Sequence, residues 1–89
     1  MREIVSAAKR ALVLKRAILF GSRARADARP DSDIDIAFDH ESSEADWAAF
    51  VNEMSDAAPT LLPLDLVDLA RVEPRLRAAI LREGRTLHG

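Results

Sequence analysis

The chain of 89 residues has no cysteine and only two histidines, His40 and His88. Those absences exclude a disulfide framework and any thiolate metal site, and they leave too few imidazoles for a histidine-rich one. No stretch approaches the ~20 apolar residues of a membrane span. The start, Met-Arg-Glu-Ile-Val-Ser, carries no apolar signal core, so a cytoplasmic protein without membrane contact is expected. Net charge is also nearly absent: −2 is too little of either sign to define a partner. Against these absences stand 48% apolar and 31% charged residues, enough for a packed core and against disorder. The length suits a single small domain over residues 1–89.

A further absence is local. Between Asp31 and Ala70 there is no Lys or Arg, although eleven Asp or Glu fall there, and all 13 basic residues lie in the two flanks. Chance scatter of surface charge is the plain explanation. The sharper one is that the acidic middle supplies metal ligands or a repulsive surface, while the basic flanks meet an anionic ligand or partner.

Apolar periodicity divides the chain into elements. Ile4, Ala8, Leu12 and Lys15 recur at helical spacing over residues 2 to 15, with Val5 and Ala11 widening the stripe. Ala17-Ile18-Leu19-Phe20 is a short apolar run closed by Gly21, which suits a buried strand followed by a strand-to-helix turn at Gly21-Ser22. Arg23 to Ala28 suits a short helix or loop, and Arg29-Pro30-Asp31-Ser32 has turn chemistry. Asp33 to Phe38 opens with strict alternation and predicts a second strand. Ser43, three residues before Asp46, resembles a capping box, and Trp47, Phe50, Val51, Met54 and Ala58 continue as a helix that ends before Pro59. A third strand is expected over about Leu64 to Asp68. A last helix opens at Pro74, with Leu76, Ala79, Ile80 and Leu81 as its apolar face and Gly84 as its C-cap. The order α-β-α-β-α-β-α predicts an α/β fold, a small sheet flanked by helices.

Three features carry chemistry: Gly21-Ser22 after a strand, Asp33-Ile34-Asp35 opening the next, and Asp65 in the third. Residues i and i+2 of a strand share a face, so Asp33 and Asp35 project together while Ile34 and Ile36 oppose them. Adjacent carboxylates repel unless a cation sits between them, which favours a hard ion such as Mg²⁺. A third acid on a neighbouring strand would complete a site for two ions roughly 3.5–4 Å apart, as used for in-line nucleotidyl displacement. Asp65 and Asp68 are the candidates, and an odd separation puts them on opposite faces. Asp65 is preferred because it lies inside the apolar run, whereas Asp68 lies at its end and suits a loop cap. At the turn, Gly21 permits close backbone approach, Ser22 offers a hydroxyl, and Arg23, Arg25 and Arg29 add positive charge suited to a triphosphate.

Two known loops are excluded. An EF-hand reading of Asp31 to Asp35 fails at its sixth position, Ile36, and its twelfth, Ser42; a Walker loop fails because no Gly-Lys-Ser/Thr follows Gly21. An acidic strand facing solvent with no metal is the competing structural explanation of the Asp pair. Trp47, Phe50 and Met54 read as core, and His40 and His88 as solvated loop and terminal residues.

Together, Gly21-Ser22, Asp33-x-Asp35 and Asp65 resemble the nucleotidyltransferase motif of the DNA polymerase beta superfamily. The string from Gly21 to Ile36, with Leu64 to Leu69 and Ile80 to Leu87, is similar to the minimal nucleotidyltransferase (MNT) branch. That branch usually has Gly where this chain has Ala26. The resemblance implies a nucleotidyltransferase fold with a mixed sheet, binding of a nucleoside triphosphate with Mg²⁺, and transfer of a nucleoside monophosphate with release of pyrophosphate. By that resemblance Gly21 and Ser22 hold the β- and γ-phosphates, Asp33 and Asp35 ligate both ions, and Asp65 ligates the ion that activates the acceptor hydroxyl. It also implies a helical HEPN-domain partner, a toxin that the MNT protein silences by binding it or by attaching AMP to a tyrosine. A chain of this length has no room for an acceptor domain, so a hetero-oligomer is expected and direct nucleic-acid binding is not. The expected function is therefore a Mg²⁺-dependent adenylyltransferase using ATP and acting as an antitoxin. The alternatives are a non-catalytic binding antitoxin, or the catalytic subunit of a two-protein transferase for a small-molecule acceptor.

Overall fold

The computed structural model describes residues 2–25, 33–57 and 63–89. Helix α1 (Arg2–Ala11) has Glu3 in its first turn and Lys9 and Arg10 in its last, each charge matched to the nearer end of the helix dipole. Its buried side chains are Ile4, Ala7 and Ala8. The helix stops four residues short of the expected Lys15, because Leu14 opens strand β1 (Leu14–Phe20). Residues Leu14 to Arg16 fit a helical stripe in isolation, but here they pair with the end of the next strand. The Lys15 ammonium lies 2.7 Å from Glu41 Oε1, and Arg16 Nη2 lies 2.9 Å from Asp39 Oδ2. At the corner, the Val13 N–H donates to Ser42 Oγ (2.7 Å) and the Glu41 N–H to the Val13 carbonyl (3.0 Å).

A single 3-10 turn, Gly21–Arg23, follows β1. The expected turn at Arg29 to Ser32, Arg29 itself and the rest of the segment from Ala26 lie outside the described residues. Strand β2 (Ile34–His40) runs antiparallel to β1 and parallel to β3 (Leu64–Asp68), the strand expected at those residues. Helix α2 (Glu44–Ala57) connects β2 to β3 and is capped as its sequence predicts: the Asp46 N–H donates to Ser43 Oγ at 3.1 Å. Ala58, Pro59 and the two leucines before Pro63 lie outside the described residues.

Helix α3 (Pro74–Glu83) carries Pro74 in its first turn, where no amide donor is needed. The chain does not end there as a helix. A fourth strand, β4 (Arg85–His88), returns to pair antiparallel with β1, giving the order β3-β2-β1-β4. Gly84 is the C-cap as expected, but in an extended conformation rather than a left-handed one. It is required by space: a Cβ there would collide with the Ile18 methyl and the Ile80 carbonyl.

Alternation along β1 and β2 sends their side chains into two cores. Ala17, Leu19, Ile34, Ile36 and Phe38 pack with Ile4, Ala8 and Leu12 of α1 and with Phe50 and Met54 of α2. On the opposite face Ile18 and Ala37 pack with Leu69 and Ile80, flanked by Phe20, Val67 and Val72. This second core is the smaller; among the described residues it is covered by α3 and by the segment that leads into it, through Leu69 and Val72. Of the apolar face expected for α3, Ile80 is buried while Leu76 and Leu81 remain exposed. Among the described residues no helix is long and apolar enough to cross a membrane.

Candidate active site

The face of the smaller core is the one that carries the carboxylates. Asp35 alternates with Ala37, and Asp65 with Val67, so both project beside the smaller core. In the sheet register Asp35 is paired with Asp65 of β3 on one side and with Phe20 of β1 on the other. Phe20 is followed immediately by Gly21, which brings the turn onto Asp35. Gly21 has φ +75°, and a Cβ at this position would collide with Asp35 Oδ2. Glycine is thus demanded twice, by the left-handed backbone and by the carboxylate against it.

The turn is held in place from both ends. The Gly21 carbonyl accepts the N–H groups of Ala24 and Arg25, each at 3.2 Å. Arg23 Nε donates to the Asp33 carbonyl at 3.3 Å, tying the turn to the residue that enters β2. The Ile34 N–H donates to the Pro63 carbonyl at 2.9 Å, aligning the starts of β2 and β3. These contacts bring Gly21, Ser22, Arg23, Asp33, Asp35 and Asp65 to one end of the sheet.

The acids differ in environment. Asp35 is half-buried, whereas Asp33 and Asp65 are exposed. Burial raises the Asp35 pKa above the usual carboxylate range; the charges of Asp65 and Asp33 and a hydrogen bond with Asp65 raise it further. The apolar run of β3 therefore does not bury Asp65, contrary to the reason for preferring it in the sequence. It is the parallel register that puts Asp65, and not Asp68, beside Asp35.

Asp68 lies on the opposite face and is fully engaged. Its Oδ1 accepts the Ala70 N–H (3.1 Å), and its Oδ2 lies 3.3 Å from His40 Nε2 and 3.7 Å from Arg71 Nε. Arg71 also pairs with Glu44 at the start of α2. His40 is not a solvated loop residue. It ends β2 with its side chain 4% exposed, stacked on Trp47 at 5.2 Å and 12°, and its Nδ1 accepts the Ser42 N–H at 3.1 Å. That acceptance places the proton on Nε2, which faces Asp68 within ion-pair distance but out of line for a hydrogen bond. In the sequence, the only hint was that His40 and Asp68 each end a strand.

Phe20, Leu76, Ala79, Ile80 and Glu83, missed in the sequence as site residues, join Gly21 and Arg25 around a cleft of ≈ 260 Å³ between the turn and α3. The signal was there: positions 76, 79, 80 and 83 share one helical face.

An all-oxygen, anionic set at the paired Asp35 and Asp65 suits a hard divalent cation, and a cation would relieve the repulsion that raises Asp35. Among the described residues no three His, Cys, Asp or Glu side chains converge as a ligand cluster.

The chain and its fold have counterparts among known proteins. The family model described as polymerase beta, nucleotidyltransferase matches residues 2–89. A solved protein assigned as a minimal nucleotidyltransferase is 30% identical, with 94% of this chain and 85% of that one covered and a TM-score of 0.72. A toxin–antitoxin crystallised with AMP-PNP is 24% identical over 99% of this chain and 72% of its own, with a TM-score of 0.80. An Asp-to-Glu double mutant of the toxin–antitoxin MntA–HpeT is 22% identical over 99% and 71%, with a TM-score of 0.77. Among curated proteins there is no significant match. Matched from residue 2 to residue 89, and aligned with a 30%-identical relative over most of both chains, this protein belongs to the polymerase beta nucleotidyltransferase family, in its minimal nucleotidyltransferase branch.

Proposed function

We propose that this protein is a Mg²⁺-dependent nucleotidyltransferase that moves AMP from ATP onto a hydroxyl, a tyrosine of a HEPN-domain toxin, and thereby acts as the antitoxin of a pair. The observation that carries this reading is the Asp35–Asp65 pair set against the Gly21 turn. A phosphate cradle and a divalent-cation site must adjoin for nucleotidyl transfer, and these two adjoin through direct packing.

In this reading the Gly21–Ser22 turn and Arg23 and Arg25 take the β- and γ-phosphates, with Gly21 admitting them to the backbone. Asp35 and Asp65 would hold the cation, with Asp33 joining from the entrance of β2. Such an ion supplies Lewis-acid polarisation of the phosphate and lowers the pKa of the attacking hydroxyl. The chain's own part is to orient the α-phosphorus between the turn and Asp65, so that attack comes from the side opposite the leaving pyrophosphate. The toxin assignment draws support from the fold shared with toxin–antitoxin proteins, one of them crystallised with AMP-PNP.

Incubation with α-labelled ATP, Mg²⁺ and the HEPN protein should label the partner, and Asp35→Asn should abolish the label. Equal labelling by wild type and Asp35→Asn would remove the catalytic reading. A binding antitoxin without catalysis is the second reading. It is favoured by the exposure of Asp33 and Asp65, which carry no burial penalty that catalysis alone would explain. Rescue of toxin-expressing cells by the triple Asp→Asn variant at 33, 35 and 65 would select it.

A further inference from the structure

The cleft beside the turn is built from two kinds of surface. Phe20, Leu76, Ala79 and Ile80 supply its apolar lining residues, and Arg25 and Glu83 its charged ones. It shares Gly21 and Arg25 with the proposed phosphate cradle, so a ligand whose phosphates rest on the turn has this cavity as its immediate neighbour. We propose that the cleft binds the heterocyclic base of the nucleotide, and that Glu83 selects bases bearing an exocyclic amino group over uracil. This inference rests on the nucleotidyltransferase reading of the same site.

Two arguments favour the base over the acceptor side chain as the occupant. The first is direction. In-line displacement puts the attacking hydroxyl and the leaving pyrophosphate on opposite sides of the α-phosphorus. The cleft shares Gly21 with the pyrophosphate cradle, so it lies on the leaving-group side, which the acceptor does not enter. The ribose leaves the phosphorus sideways to that axis and can turn back toward α3.

The second argument is chemistry. A flat heterocycle buries its faces against apolar walls and presents polar groups only at its edge. The ≈ 260 Å³ of the cleft accommodates a purine or a pyrimidine. Glu83 lies at the C-terminal end of α3 with its side chain about half exposed, 3.8 Å from the more exposed Arg82, so its carboxylate retains accepting capacity. A carboxylate accepts from the amino group of adenine, cytosine or guanine. Uracil would present carbonyl oxygens there and be repelled.

The test is binding of Mg²⁺–ATP, Mg²⁺–UTP and Mg²⁺–tripolyphosphate to wild type, Ala79→Phe and Glu83→Gln, read by calorimetry. Wild type should prefer ATP to UTP. Ala79→Phe fills the cleft and should weaken ATP at least about tenfold while leaving tripolyphosphate bound. Glu83→Gln should reduce the ATP-over-UTP preference about tenfold, the effect of losing one charge-assisted hydrogen bond. If both variants bind ATP and UTP as wild type does, while tripolyphosphate also binds, the base is held elsewhere and the inference is wrong. If wild type binds neither ATP nor tripolyphosphate, the nucleotidyltransferase reading itself fails. Should Ala79→Phe also lose tripolyphosphate, its turn has been displaced, and Glu83→Gln, an exposed substitution, decides the matter.

Discussion

Asp35 and Asp65 occupy paired positions on adjacent parallel strands, so their carboxyl groups stand side by side at one end of the sheet. Two adjacent carboxyls avoid mutual repulsion only while one keeps its proton or a cation lies between them, so ionising both creates a repulsion that the unfolded chain does not have. Proton or cation occupancy at this end of the sheet is thus coupled to the stability of the fold.

The coupling has a definite sign. Asp35 has a folded pKa above its unfolded value, first through burial and then through Asp65 and Asp33. In the window between the two values the folded state holds a proton that the unfolded state has lost, so stability falls as pH rises through it. In buffer free of divalent ions, urea midpoints of wild type should therefore decline from the ordinary carboxylate range up through the raised Asp35 value. Asp35→Asn should flatten that decline; equal slopes for the two proteins would refute the assignment. Added Mg²⁺ at neutral pH should raise the melting temperature of wild type and not that of Asp35→Asn/Asp65→Asn.

Gly21→Ala should destabilise the protein by about 1–3 kcal/mol, since a left-handed φ and a collision with Asp35 Oδ2 combine. Adding Asp35→Ala should return part of that loss by removing the colliding carboxylate. A double-mutant cycle by chemical denaturation checks it. Strict additivity would mean that turn and carboxylate are independent.

His40 contributes by packing. Its ring stacks on Trp47, and Trp47 in turn meets Phe38 at 5.8 Å and Phe50 at 5.9 Å. His40→Ala should cost about 2–4 kcal/mol, as for other buried rings truncated to a methyl group. His40→Phe should cost clearly less, because it keeps the stack and removes only the polar contacts with Ser42 and Asp68. If Phe is as damaging as Ala in denaturant titrations, those polar contacts dominate instead.

Phe50 and Lys15 should differ sharply. Phe50 is fully buried and edge-on to Phe38 at 5.2 Å, so Phe50→Ala should cost about 3–5 kcal/mol and leave little folded protein at 37 °C. Lys15 pairs with Glu41 in open solvent, and Lys15→Ala should leave the thermal midpoint nearly unchanged.

Much of the fold was legible along the chain because its signals are local. Ser43 caps α2, Pro74 opens α3, and the apolar run after Pro63 forms β3 at the residues expected. Failures came where pairing partners are distant in sequence. Leu14 to Arg16 fit a helical stripe until His40 and Asp39 hold them in a ladder. Arg85-Thr86-Leu87-His88 is too short and polar to announce a strand, and becomes one only because β1 offers an unpaired edge. His40 looked solvated because nothing nearby in sequence reveals that Trp47 will cover it.

By itself, the sequence determined which chemistry this end of the sheet can hold. Two carboxylates at alternate positions share a face, and Asp65 and Asp68, three residues apart, cannot; these follow from the strand period alone. Only the tertiary structure decided which acid meets which. The parallel β2–β3 register sets Asp65 against Asp35 and leaves Asp68 to His40 and Arg71, and that register depends on hydrogen bonds between segments about thirty residues apart. The cleft beside Gly21 likewise exists only because α3 is packed across β1, bringing positions 76 to 83 against positions 20 to 25.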